Sequence, residues 1–265
     1  SGPYGIYYNE AAYQDLVITE IMHDPSPAAG MPEVEYIELF NRSVLPVDLQ
    51  GMDLRVNGRE NVLPQKLLFP GDYAVLYRQN SEVSFTNGLP LQKWKALTNG
   101  GGEIILKNKG GDVVTAFTYP SMVGGKSFKQ QGGWSLEIID PDNLSGHMQN
   151  WVYCQNDSGG SPGRENSVDG PLPDVLAPEI KDAWLARDSV LVLDFGEPVK
   201  PNGPIREVVD MPSQGLHCDT FLWNPVFRDR LSLVFQNPLS VHQVHSLIVG
   251  RKLTDLAGND LSRPD

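Results

Sequence analysis

Apolar positions along this chain come in short clusters, and within several of them apolar and polar residues alternate. A period of two marks strands with at least one buried face. The pattern predicts strands at Leu16–Met22, Val34–Asn41, Met52–Val56, Tyr73–Tyr77, Glu103–Lys107, Val113–Thr118 and Trp134–Ile139, and later at Glu179–Leu185, Ser189–Phe195, Leu231–Phe235 and Val244–Val249. Turn chemistry separates them at Asn57-Gly58, Pro70-Gly71, Asn99-Gly-Gly-Gly102 and Gly110-Gly-Asp112, while His23-Asp-Pro-Ser-Pro27 ends the first strand. In the second strand Ile37 and Leu39 share one face and Tyr36, Glu38 and Phe40 the other. Both faces carry apolar groups, so that strand is expected to be covered on both sides.

The 26 glycines and 21 prolines, with no long apolar run, favour many short strands over long helices. Two domains of ordinary size fit 265 residues, and so does one larger β domain. Composition shifts toward Gly, Ser, Pro and Asp between Ser158 and Pro178, as in a linker between domains. The expected division is an N-terminal segment 1–15, a first domain 16–167, a linker 168–178 stiffened by Pro171, Pro173 and Pro178, and a second domain 179–265.

Charge and cysteine content narrow the partners. A formal net charge of −12 with scattered Lys and Arg opposes binding to phosphate backbones, so no nucleic-acid partner is expected. No stretch approaches the ~20 apolar residues of a membrane span. Cys154 and Cys218 are the only cysteines and lie far apart, which excludes a disulfide-dense framework. They are expected to stay unlinked.

Two linked signatures bracket the first domain. The first is Val17-Ile-Thr-Glu-Ile-Met22 followed by Glu35-Tyr-Ile-Glu-Leu-Phe-Asn41; the second is Gly133-Trp-Ser-Leu-Glu-Ile-Ile-Asp140, then Asn150-Trp151, Gly160-Ser-Pro-Gly163 and Asn166-Ser167. A third lies in the hairpin from Leu97 to Tyr119, with its glycine turn, strand, glycine turn and strand ending in Tyr. Together they resemble the lamin tail domain in the form found in secreted and surface proteins of bacteria, with Thr19 standing where members commonly have Asn. In the second domain, Asp194-Phe-Gly-Glu-Pro-Val199 and Leu253-Thr-Asp-Leu-Ala-Gly-Asn-Asp-Leu261 resemble the bacterial immunoglobulin-like domain of the surface-layer type. These resemblances imply an all-β chain of two tandem immunoglobulin-like β-sandwiches.

Several residue groups carry chemistry, each with a structural alternative. Gly159-Gly-Ser-Pro-Gly163 has the G-x-S-x-G spacing of serine hydrolases, but the residue after Ser161 is Pro162, which has no N–H to offer an oxyanion. His242 and His245 fall on opposite faces of a strand, so zinc there needs help from His217 or Cys218. Glu20, Asp24, Glu35 and Glu38 are the candidate calcium ligands, being hard oxygen donors on adjacent strands; the alternative is that each caps a turn or pairs with an Arg. Asp255-Leu-Ala-Gly-Asn-Asp260 fits a turn held by its own side chains. Phe221, Trp223 and Phe227, between Asp219 and Asp229, form a candidate aromatic binding patch, and Tyr4, Tyr7, Tyr8 and Tyr13 a second; both groups also suit plugs at the ends of a sandwich. Trp134 and Trp151 are assigned to the first core.

The reading is a non-catalytic binding or spacer module of an exported, cell-surface bacterial protein. No catalytic residue and no cofactor is expected, apart from calcium at the carboxylates just named. Partners are a protein or glycan ligand and neighbouring modules of a longer chain, and the chain itself is expected to be a monomer. Ser1-Gly-Pro-Tyr-Gly-Ile6 has neither the basic start nor the apolar run of an export signal, so that signal is expected to lie outside these residues. A second class stays open: an accessory region of a secreted hydrolase or nuclease whose catalytic domain lies elsewhere. An intracellular role like that of nuclear lamins is disfavoured by the absence of preceding coiled-coil heptads.

Overall fold

The computed structural model describes residues 10–79, 82–121, 128–145, 148–204, 208–210, 218–239, 246–249 and 252–262. The chain is all-β, built as immunoglobulin-like β-sandwiches, with 3-10 turns at Phe128–Gln131 and Met148–Asn150. It divides into two compact units, one of residues 1–142 and 148–172, the other of 143–147 and 173–265.

The first unit contains β1 (Leu16–Met22), β2 (Tyr36–Asn41), β3 (Val47–Asp48), β4 (Asp53–Val56), β5 (Arg59–Val62), β6 (Leu67–Leu68), β7 (Tyr73–Arg78), β8 (Gly88–Leu91), β9 (Gly101–Lys107), β10 (Val113–Pro120), β11 (Leu136–Ile138) and β12 (Trp151–Tyr153). A six-stranded sheet runs β12-β11-β1-β2-β7-β8, and a four-stranded sheet runs β10-β9-β4-β5. All pairings are antiparallel except β7 with β8. Asn57 and Gly58, with φ of 48° and 76°, make the two-residue turn between β4 and β5. Both turn positions need the left-handed region, which explains Asn-Gly there.

Period-two alternation sends Ile18, Ile37, Leu39 and Leu76 of one sheet toward Leu54, Ile104, Leu106 and Val114 of the other, forming the main core. Trp151 stacks on Phe117 with ring centroids 4.1 Å apart, which ties β12 to the facing sheet. Trp134 packs against the same core. On the outer face of the six-stranded sheet Met22, Tyr36, Val75 and Tyr77 make a second, smaller cluster. β2 is therefore buried on both faces, as its composition predicts.

The second unit contains β13 (Asp182–Arg187), β14 (Val190–Asp194), β15 (Val199–Pro201), β16 (Val209–Asp210), β17 (Cys218–Trp223), β18 (Arg230–Phe235), β19 (Ile248–Val249) and β20 (Leu253–Asp255). Its sheet runs β13-β14-β18-β17, and Leu193, Leu231 and Leu233 pack with Val199 and Leu253 of the β15–β20 pair. β17 lies in a stretch where no strand was expected; its residues form an edge strand against β18. β3, β5, β6, β8, β12, β15, β16 and β20 were also not expected. β5 and β8 are edge strands with weak local signals, for Arg59 and Glu60 on β5 and Pro90 on β8 are residues that protect an edge. Cys154 and Cys218 are both free, the first buried and the second half-buried.

Candidate functional site

Three glutamates form a row across neighbouring strands of the six-stranded sheet. Register sets Glu20 of β1 opposite Glu137 of β11 on one side and Glu38 of β2 on the other. The face is the outer one, away from the main core. Each is fully buried. β1 carries a register shift between Ile18 and Glu20, and the Thr19 hydroxyl beside it donates to Glu38 Oε1 at 2.7 Å.

The row is covered by residues 160–167, a strap that supplies donors to every carboxylate. Glu20 Oε1 accepts from the Ser161 amide at 2.8 Å, the Tyr36 hydroxyl at 2.6 Å and the Ser135 hydroxyl at 2.6 Å. Glu38 Oε2 accepts from the Gly163 amide at 2.6 Å. Glu137 Oε1 accepts from the Ser161 hydroxyl at 2.6 Å, and its Oε2 from the amide and hydroxyl of Ser167 at 2.9 and 2.6 Å. Asn166 is buried and donates to the carbonyls of Thr19 and Ile138, stitching the strap to both flanking strands. Gly160 is required for close approach, since a Cβ there would lie 2.5 Å from the Tyr36 hydroxyl oxygen and 3.1 Å from Glu20 Oε1.

The electrostatics follow from burial without countercharge. Among the described residues no Lys or Arg pairs with any of the three. Desolvation, reinforced by the Glu137 carboxylate, pushes Glu20 up to about 7 against the hydrogen bonds that favour its ionised form. Desolvation and the neighbouring Glu20 push Glu38 well above the usual carboxylate range. Glu20 Oε2 is buried and accepts no hydrogen bond from the described residues.

The structure does not gather the four carboxylates proposed as calcium ligands. Glu20 and Glu38 meet, but their companion is Glu137. Glu35 accepts from Trp94 Nε1 at 2.7 Å and the Leu97 amide at 3.0 Å, so it serves to hold the 94–97 loop. Asp24 is half-buried in the segment after β1, where its carbonyl accepts from the Gly133 amide. The error was to group acids by nearness in sequence. Glu137 carries the same signal as Glu20 and Glu38, a lone acid inside an otherwise apolar strand.

Ser161 is buried, and its hydroxyl is committed to Glu137. The G-x-S-x-G spacing thus belongs to the strap. Phe221 and Trp223 sit two apart on β17, with ring centroids 5.9 Å apart, and pack against the second core, while Leu222 between them is 60% exposed. Phe227 is half-buried in the turn before β18. Tyr4, Tyr7, Tyr8, His217, His242 and His245 lie outside the described residues.

The second unit has its own acidic group, which sequence reading missed. Asp174, Glu197 and Asp255 bring one carboxylate oxygen each to within 4.8 Å of one another. Desolvation, with Asp174 and Asp255 nearby, pushes Glu197 up to about 7. Asp255 is fully buried and caps the turn after β20: its Oδ1 accepts from the amides of Gly258 and Asn259, and its Oδ2 from Asn259 Nδ2. Hard oxygens at this spacing are the kind of set that suits a divalent cation such as calcium.

No curated protein matches the chain. The matched span stops short of β11 and β12, although both strands complete the sheet around β1. The family model described as Lamin Tail Domain matches residues 9–121, so the span that holds β1 to β10 is similar to a lamin tail domain.

Proposed function

We propose that this chain is a non-catalytic binding or spacer module of an exported, cell-surface bacterial protein. The observation that carries the reading is the use made of the polar groups in the first unit. Ser161, at the centre of the hydrolase-like spacing, is a buried residue of the strap and donates to Glu137; the acids around it hold backbone amides. A nucleophile needs room for a substrate, and this hydroxyl is buried.

The second unit is proposed to be an immunoglobulin-like domain of the surface-layer type. Its two motif segments pair directly, Val199 of β15 with Asp255 of β20, and the turn that follows is capped by Asp255. A module of this kind acts by presenting folded, charged units to neighbours or ligands.

The test is to assay the purified chain on ester, phosphodiester and glycoside substrates beside a Ser161→Ala variant, and to screen it on glycan and protein arrays. Reproducible ligand capture with no turnover supports the module. Turnover that is lost in Ser161→Ala overturns it.

A further inference from the structure

We propose that Asp174, Glu197 and Asp255 form a site in the second unit for one divalent cation of the calcium type. One carboxylate oxygen from each lies within 4.8 Å of the others. Oxygens on opposite sides of a bound calcium are about 4.6–5.2 Å apart, twice its usual ligand distance, so a single ion can touch all three. Two orphaned oxygens in the group point to a ligand. Asp174 Oδ2 is buried and accepts no hydrogen bond. Glu197 is 4% exposed and interacts with other groups, yet its Oε2 is buried and accepts no hydrogen bond from any of them. A carboxylate oxygen taken out of water with nothing to accept carries a desolvation cost, and a bound cation offsets it.

The fold brings three separate segments to this point. Register sets Val199 of β15 opposite Asp255 at the end of β20, so the bend that carries Glu197 lies beside the turn that Asp255 caps. Asn259 of that turn draws in the third segment, its Nδ2 donating to the Asp174 carbonyl at 3.2 Å and to Asp255 Oδ2 at 2.7 Å. The Ser262 amide holds the same segment further along, donating to the Pro178 carbonyl at 2.9 Å. Asp255 Oδ1 accepts two amides and Oδ2 a single donor, which leaves a lone pair on Oδ2 for an ion.

Among the described residues no Lys or Arg pairs with Asp174 or Asp255. Lys181, a basic group that acts on Glu197, is exposed and pairs with Glu179 at 3.3 Å. The donors are all hard oxygens, which suit calcium or magnesium. Three protein carboxylates together are of the calcium kind, since magnesium is usually held by one or two with substrate phosphates. A bound ion fastens the segment that enters the second unit, 174–178, to the turn at 255–260. The second unit is then more rigid with calcium than without it.

The experiment titrates calcium into the full chain after treatment with a chelator, following the heat of binding and hydrogen exchange at the Leu176, Gly258 and Asn259 amides. Expected are one calcium per chain with a Kd of about 1 mM or tighter, slower exchange at all three amides, and magnesium binding about tenfold weaker or worse. Glu197→Gln and Asp174→Asn keep the side-chain size and remove a charged ligand. Each is expected to fold without calcium and to lose about tenfold or more in affinity. Asp174 is half-buried in the segment before β13, so its variant tests the site independently of how well Glu197→Gln folds. Glu20→Gln, in the first unit, is expected to bind calcium as the wild type does. No saturable binding up to about 10 mM calcium overturns the proposal, as does wild-type affinity in a folded Glu197→Gln or Asp174→Asn chain. Binding that is lost in Glu20→Gln overturns it too, since the ion would then sit in the first unit. Magnesium bound as tightly as calcium overturns the assignment to calcium.

Discussion

Glu20 and Glu137 face each other across the β1–β11 pair, and Ser161 binds both, its amide to the first at 2.8 Å and its hydroxyl to the second at 2.6 Å. One residue of the strap thus bridges two strands that are distant in sequence. This contact explains why an apparent nucleophile motif sits where it does.

Ser161→Ala removes the hydroxyl and leaves Glu137 Oε1 without that donor. Leaving a buried acceptor without its donor costs about 1–3 kcal/mol. Urea unfolding of the first unit is expected to shift by that amount with its slope unchanged. A shift below about 0.5 kcal/mol would show that the bridge contributes little.

The pH dependence of stability has a definite sign. Glu20 titrates near 7 when folded and near 4.5 when unfolded, so its contribution is full below about pH 4.5 and is lost as pH rises through 7. Glu38 and Glu197 are raised and act in the same direction. Thermal unfolding is expected to move to lower temperature between pH 5.8 and 8.2, by about 1–2 kcal/mol for the Glu20 group alone. A Tm that rises over this range contradicts the assignment.

Gly160→Ala sets a Cβ against the Tyr36 hydroxyl and the Glu20 carboxylate. The strap must lift or Tyr36 must turn, at a cost of about 1–3 kcal/mol. Faster exchange at Ser161 and Gly163 with an intact core is the expected signature. An unchanged strap would mean that the close approach is not needed.

Cys154 is buried, and desolvation pushes its thiol up to about 12. Maleimide is expected to leave it unlabelled until the chain is unfolded, when both cysteines react. Rapid labelling of Cys154 in the folded chain would contradict its burial.

Much of the first unit was legible because its strands alternate cleanly: β1 has the predicted bounds, and β2, β7, β9 and β10 differ by a few residues at their ends. β8 was hidden by Pro90, and β17 by aromatic residues taken as a binding patch or a plug. The site was only half legible. Glu20 and Glu38 are close in sequence and on neighbouring strands, but Glu137 joins them through a long-range pairing that local pattern does not encode. Glu35 stands one residue before β2, and its partner Trp94 likewise depends on tertiary structure. Asp174, Glu197 and Asp255 meet for the same reason, coming from three separate segments.

The central claim is that the carboxylate row is a structural clasp in which both oxygens of Glu137 hold the strap, while burial makes a charge on Glu20 unfavourable. Its most direct test compares urea unfolding of Glu20→Gln and Glu137→Gln at pH 8. Glu20→Gln is predicted to equal or exceed the wild type in stability, because it keeps the acceptor and removes the charge. Glu137→Gln is predicted to lose about 2–3 kcal/mol, because an amide nitrogen replaces one oxygen that receives donors from the strap. Equal losses in both variants, or the larger loss in Glu20→Gln, would contradict the account.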